Sequence, residues 1–197
     1  LAMQKILGYS DAAYGSRQLF QATILYIFVF ALLASAPLNA VLSRYVSDVI
    51  FNETYSDIMA AFHLGLWISM AIDAIMVVPF AIHEYIVGGV DIVYVVTSVC
   101  CFIALSLVFY TMLYLSLCKD YGKISLFYFI GMAITLGISY IFVNKFNMEI
   151  TYSMLLAMTI GFIIIASLGY ALLRQYFTQN SKNYKDVLQY IVRFRKL

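Results

Sequence analysis

The stretch SRYVSDVIFNETYSD, residues 43–57, gathers Arg44, Asp48, Glu53 and Asp57 into one short connection. Apolar runs flank it, at about 19–43 before and 58–82 after, and both are nearly free of charge. Crossing a hydrocarbon core of about 30 Å takes roughly 20 residues of helix. The pattern is that of two membrane-crossing helices with a polar connection between them. Working outward, three more runs of that length follow, at 92–118, 124–144 and 150–173.

Composition agrees. The 197 residues are 64% hydrophobic and 11% charged, with a mean hydropathy of +0.91, whereas soluble domains carry about a quarter charged residues. A single soluble core has no room for so much apolar surface. Each span must be a helix, because an open strand or loop facing lipid leaves its backbone groups unpaired. The expected fold class is therefore an all-α polytopic membrane protein: an external loop over 1–18, a membrane domain of five helices over 19–173, and a basic segment over 174–197. No period of 20–50 residues repeats, and no low-complexity linker divides the chain.

Charge gives the expected orientation. With alternating spans, one side holds the three cations Lys5, Arg17 and Lys145. The other holds nine: Arg44, Lys119, Lys123, Arg174, Lys182, Lys185, Arg193, Arg195 and Lys196. The positive-inside rule assigns the second side to the cytoplasm. Residues 1–18 then lie outside, although they lack the basic-then-apolar order of a signal peptide and do not start with methionine. The expectation is a fragment that starts in an external loop, with at least one further membrane helix before Leu1. Asn52-Glu53-Thr54 fits the glycosylation pattern, but on this topology it faces the cytoplasm and reads as accidental.

Few residues suggest chemistry. Cys100 and Cys101 are adjacent inside a span and Cys118 stands at its end, which is no disulfide framework. His63 and His83 are 20 residues apart on one helix, about 30 Å at a rise of about 1.5 Å per residue, so they cannot share a ligand. Both read as polar residues near helix ends. No phosphate-cradling glycine loop, metal-ligand spacing or nucleophile beside a base occurs. The expectation is no enzyme, no metal, no cofactor and no nucleic acid.

Asp73, in WISMAIDAIMVVPF, is the exception. It falls near the middle of the second span, where a carboxylate is costly enough to suggest a function by default. No lysine or arginine lies deep in any span. Its partner is then a proton, water, a cation, a substrate group or a basic residue elsewhere. Asp73 is accordingly a candidate for a substrate or cation pathway, set against a structural reading in which a neighbouring hydroxyl such as Ser69, one turn away, bonds it.

Other features read as architecture. Pro37 and Pro79 interrupt the first two spans and each frees a carbonyl, as in hinged transporter helices and also in static bundles. Phe102, Phe109, Tyr110 and Tyr114 recur at roughly helical spacing in the third span. Stacking on sugar is conceivable there, but packing and interfacial belts account for most such rings. Gly131, Gly137, Gly161 and Gly169 are expected to let helices approach closely. In the tail, Tyr184, Val187, Leu188, Ile191 and Phe194 recur at helical spacing among Lys182, Lys185, Arg193, Arg195 and Lys196. That is a basic amphipathic helix, expected along the cytoplasmic membrane surface.

The end of the first span, Ser43-Arg44-Tyr45-Val46-Ser47-Asp48, resembles the cytoplasmic end of the second helix in the Pel exopolysaccharide transporter family (PelG type), of the superfamily of multidrug, lipid-linked oligosaccharide and polysaccharide exporters. YLSLCKDYGKISLFYFIGMAITLGISYIF (114–142) resembles that family's fourth-to-fifth helix connection, and ASLGYALLRQYF (166–177) the exit of its sixth helix. The resemblance runs from about Phe20 to Phe177. It implies helices two to six of a first half, with one helix and a second six-helix half elsewhere. It also implies a flippase-like bundle in a bacterial cytoplasmic membrane, passing a hexosamine-rich polysaccharide beside a cytoplasmic glycosyltransferase and small membrane partners. Asp73 belongs to none of these motifs. Two other functions stay open: a cation-coupled exporter of lipid-linked sugar or small molecules, favoured by a cation dependence at Asp73, and a non-transporting scaffold for a synthase, favoured by solid packing. A polar cavity would favour the polysaccharide.

Overall fold

Five long helices follow one another up and down: α1 (Tyr14–Phe51), α2 (Ser56–Ile86), α3 (Ile92–Cys118), α4 (Tyr121–Phe146) and α5 (Ile150–Tyr176). The computed structural model describes residues 14–54, 56–118, 121–177, 184 and 187–189, and no strand occurs among them. All five helices are long and apolar enough to cross a membrane. The chain is an all-α, multi-pass membrane protein.

The opening stretch is less of a loop than its charges suggest. α1 continues to Phe51, because nothing between Arg44 and Ile50 breaks a helix and its polar residues keep to one side. Arg44, Ser47 and Asp48 are exposed while Tyr45, Val46 and Val49 are buried. The helix stops in two paired bonds: Thr54 N–H donates to the Val49 carbonyl at 3.1 Å and Glu53 N–H to that of Ile50 at 3.2 Å. This is the Schellman arrangement, which needs a left-handed residue at its turn. Glu53 takes that role with φ 58°. At the opposite end of the bundle Gly89 (φ 60°) and Asn147 (φ 49°) turn the chain between α2 and α3 and between α4 and α5. α1 and α2 run on through Pro37 and Pro79.

α3 is the hub. It packs against α1, α2 and α5, and α4 is held through α5. α1 and α3 run parallel, with the Tyr94 hydroxyl 3.2 Å from Thr23 Oγ1 and Asn39 Nδ2 3.4 Å from the Phe109 carbonyl. Between helices in lipid, close fit rather than water exclusion drives association, so small residues matter at the crossings. A Cβ at Gly131 would collide with Ile165, one at Gly161 with Thr135, and one at Gly169 would stand 3.0 Å from Leu115 Cδ1. Gly137 differs from expectation, since open space surrounds it. The crossing the sequence did not single out is at Gly65, where a Cβ would meet the Tyr110 hydroxyl and Leu42 Cδ1.

Two large cores result. At the Asn52 end Leu42, Tyr45, Val46, Phe62, Tyr110 and Tyr114 pack together with Leu173 and Val187. At the Gly89 end Phe20, Ile27, Ala31, Val77, Tyr94 and Phe102 pack with Met154 and Leu155.

Candidate functional site

Asp73 lies where the two cores meet. Its side chain is 1% exposed, and Oδ1 accepts a hydrogen bond of 2.9 Å from Ser106 Oγ on α3. The bonded hydroxyl is thus across the helix pair, not Ser69 on Asp73's own helix. Ser69 is itself buried, as is Ser35 on α1. The parallel register that sets Thr23 beside Tyr94 and Asn39 beside Phe109, an offset of 70–71 residues, puts Ser35 at the height of Ser106. Hydroxyls of Ser35 on α1 and Ser106 on α3 therefore stand at the level of the carboxyl, with Ser69 one turn away toward the Asn52 end.

The second carboxyl oxygen is different. Oδ2 is buried and has no hydrogen-bond partner among the described residues. An ionised carboxylate left this way in an apolar interior is costly enough that the group neutralises instead. The described cations do not answer it: Arg17, Arg44, Lys123, Lys145 and Arg174 all stand near helix ends. Even a neutral carboxyl with an unmade bond costs about 1–3 kcal/mol. Asp73 thus brings into the middle of the bundle a polar atom that no described side chain answers.

Above it, toward the Gly89 end, α1, α2 and α3 enclose a recess of about 240 Å³. Its walls are mainly apolar and aromatic: Tyr26 and Phe30 from α1, Phe80 from α2, Tyr94 and Phe102 from α3, with Thr23, Ser98 and Glu84 as polar exceptions. Tyr26 and Phe30 meet Phe80 with ring centroids 6.1 and 6.0 Å apart. Toward Asp73 the lining ends at Phe30 on α1, at Met76 and Val77 on α2 and at Phe102 on α3. Val77 follows Asp73 by one turn and Phe102 precedes Ser106 by one turn, so a single layer of side chains, about 5.4 Å of helix rise, separates recess from carboxyl.

The remaining sequence candidates are scattered. Ser43, Arg44, Tyr45, Ser47 and Asp48 end α1 far from Asp73. His63 Nε2 lies 3.2 Å from the Tyr170 hydroxyl, and His83, at the other end of α2, has Nδ1 3.9 Å from Glu84 Oε1. Phe102, Tyr110 and Tyr114 are buried, so as arranged they are closed to a polymer. Among the described residues no three of His, Cys, Asp or Glu gather to hold a metal. Lys182, Lys185, Arg193, Arg195 and Lys196 lie outside the described residues. Of the tail's apolar stripe, Val187 is fully buried in the Asn52-end core while Tyr184 and Leu188 are exposed. Sequence reasoning found Asp73 but missed the recess, whose lining is drawn from three helices and has no signature on any one.

No curated protein and no solved structure matches the chain. One family model does, PelG, described as "Putative exopolysaccharide Exporter (EPS-E)", and it covers residues 1–197. Matched along its whole length by that model, this bundle of membrane helices belongs to the PelG family.

Proposed function

We propose that the chain is a membrane subunit moving a hexosamine-rich exopolysaccharide across a bacterial cytoplasmic membrane, beside a cytoplasmic glycosyltransferase and small membrane partners. Membership of a family of exopolysaccharide exporters carries this reading, and five membrane-crossing helices supply the setting. The charge asymmetry supports an orientation with the Asn52 end in the cytoplasm and the Gly89 end outside. The recess is apolar rather than polar, and its 240 Å³ falls below the roughly 300–1,000 Å³ of small-molecule sites. A polymer therefore passes along a face of these helices and not through the recess.

The test is secretion. Removing the chain from its host should leave polymer synthesis running in isolated membranes while abolishing polymer outside the cell. Unchanged secretion overturns the reading, and loss of synthesis itself points to the scaffold role. Orientation is tested separately. Cysteines at Gly15 and Val87, both exposed, should react with an impermeant thiol reagent added outside, and one at Asn52 should not. Reversed labelling overturns the orientation.

The coupled-exporter reading has one observation in its favour, the buried carboxyl of Asp73 with an unbonded oxygen.

A further inference from the structure

Three observations converge on one place. A carboxyl oxygen is buried without a partner. Ser106 Oγ bonds the carboxyl's other oxygen, and Ser35 and Ser69 are buried nearby on α1 and α2. A recess lies about one helical turn away, its lining ending toward Asp73 at Phe30, Met76, Val77 and Phe102. We propose that Asp73 is a proton-binding site served from the Gly89 end of the bundle, its Oδ2 taking and releasing a proton through water that passes the layer formed by Phe30, Val77 and Phe102.

The proton is chosen over a metal cation by ligand count. Calcium takes about 6–8 oxygens and magnesium demands near-octahedral coordination. Here the fixed oxygens are the carboxyl and one bonded hydroxyl, and the described residues hold no acidic cluster. A proton needs one oxygen, and Oδ2 is that oxygen. Among the described residues the opposite end is closely packed, with Leu42, Phe62, Tyr110 and Tyr114 each at most 1% exposed. Asp73 titrates with little competition from its surroundings. On its own helix the nearest ionisable groups are His63 and His83, more than two turns to either side, on α1 Tyr26 and Tyr45, and on α3 Cys101 and Tyr110, about one turn either side of Ser106. The inference rests on this geometry and is independent of what the protein exports.

Dicyclohexylcarbodiimide tests it on the purified chain in detergent. A protonated carboxyl gives its proton to a carbodiimide nitrogen while the carboxylate oxygen bonds to the central carbon. The O-acylisourea so formed shifts its acyl group from oxygen to nitrogen and becomes a stable N-acylurea, located by peptide mass spectrometry. Asp73 should be modified, with a yield that falls as the pH is raised. Val77→Trp, which thickens the layer, should lower the yield several-fold, and Phe102→Ala should raise it. Modification of Glu84, whose side chain is 35% exposed, reports in each variant that the reagent is active, and an unchanged unfolding temperature reports that the fold is intact. Glu84 modified with Asp73 untouched at every pH overturns the proposal. So does Asp73 modification indifferent to both layer variants, which would place the route elsewhere. Protection by sodium but not by choline at equal ionic strength overturns it in favour of a metal cation.

Discussion

The two ends of the α1–α3 unit use the same kinds of side chain to opposite effect. At the Asn52 end Phe62 meets Tyr114, Tyr110 and Tyr170 with centroids 5.0, 5.3 and 5.6 Å apart, and Gly65 lets the Tyr110 hydroxyl reach the Phe62 carbonyl at 2.8 Å. At the Gly89 end the rings of Tyr26, Phe30 and Phe80 stand about 6 Å apart, and a recess remains. Aromatic content alone therefore does not fill a bundle. A small residue opposite the large one does, by letting helix axes close, and a tight turn such as that at Glu53 helps by holding α1 to α2. The contrast matters because Asp73 sits at the boundary: one side of it is sealed and the other is one layer from open space.

Removing the group that makes the boundary meaningful should have the largest effect. Asp73→Asn keeps the shape and the acceptor for Ser106 but loses the titrating oxygen. If the asymmetry serves transport, polymer export should be abolished while the amount of protein in the membrane, read by immunoblot, is unchanged. Normal export would leave the carboxyl a structural oddity and the open end without purpose.

Next comes the seal. Gly65→Val drives side-chain atoms against Tyr110 and Leu42, and overpacking of this kind costs about 1–3 kcal/mol. A lower unfolding temperature in detergent is expected. Gly137→Val, with open space around it, should leave that temperature within experimental scatter. Equal sensitivity at the two glycines would mean that the closeness of α2 and α3 at the Asn52 end is not what holds it shut.

These two glycines also mark what the sequence could and could not tell. The five spans were legible because lipid imposes length and apolarity on each helix separately. Asp73 was legible because a carboxylate in such a run is conspicuous. Contacts between helices were not. Gly137 and Gly65 look alike in sequence, and only the rotation of each helix decides that one faces a neighbour and the other open space. For the same reason Ser69 was the natural partner for Asp73 along the chain, whereas Ser106 bonds it across the α2–α3 register. The charges of residues 43–57 suggested a connection, yet Arg44, Ser47 and Asp48 simply occupy the exposed side of a helix that continues to Phe51.

A smaller effect is expected inside the sealed end. Tyr110→Phe removes the hydroxyl that donates to the Phe62 carbonyl at 2.8 Å and lies 3.3 Å from that of Tyr114, but leaves the ring in place. The net value of such a bond is about 0.5–1.5 kcal/mol. A shift in unfolding temperature clearly smaller than that of Gly65→Val should follow. A shift as large would move the seal from close packing to the hydroxyl pair.

The smallest energetic effect belongs to the charged end of α1, and there the interest is in function. Arg44 and Asp48 are four residues apart and both exposed, a spacing at which an opposite pair contributes about 0.3–0.5 kcal/mol. So little energy does not explain the arrangement through stability. They stand beside the sealed core into which Val187 of the tail is also packed, so the surface they form is the one a cytoplasmic partner meets first in the proposed orientation. Arg44→Glu should then reduce secreted polymer or the amount of synthase recovered with the membrane, with no measurable change in unfolding temperature. Adding Asp48→Arg should restore part of it, because the reversed pair keeps its local attraction while the surface keeps its net charge. If single and double variants export and recruit normally, the sealed end has no docking role, and its charges only mark where α1 leaves the membrane.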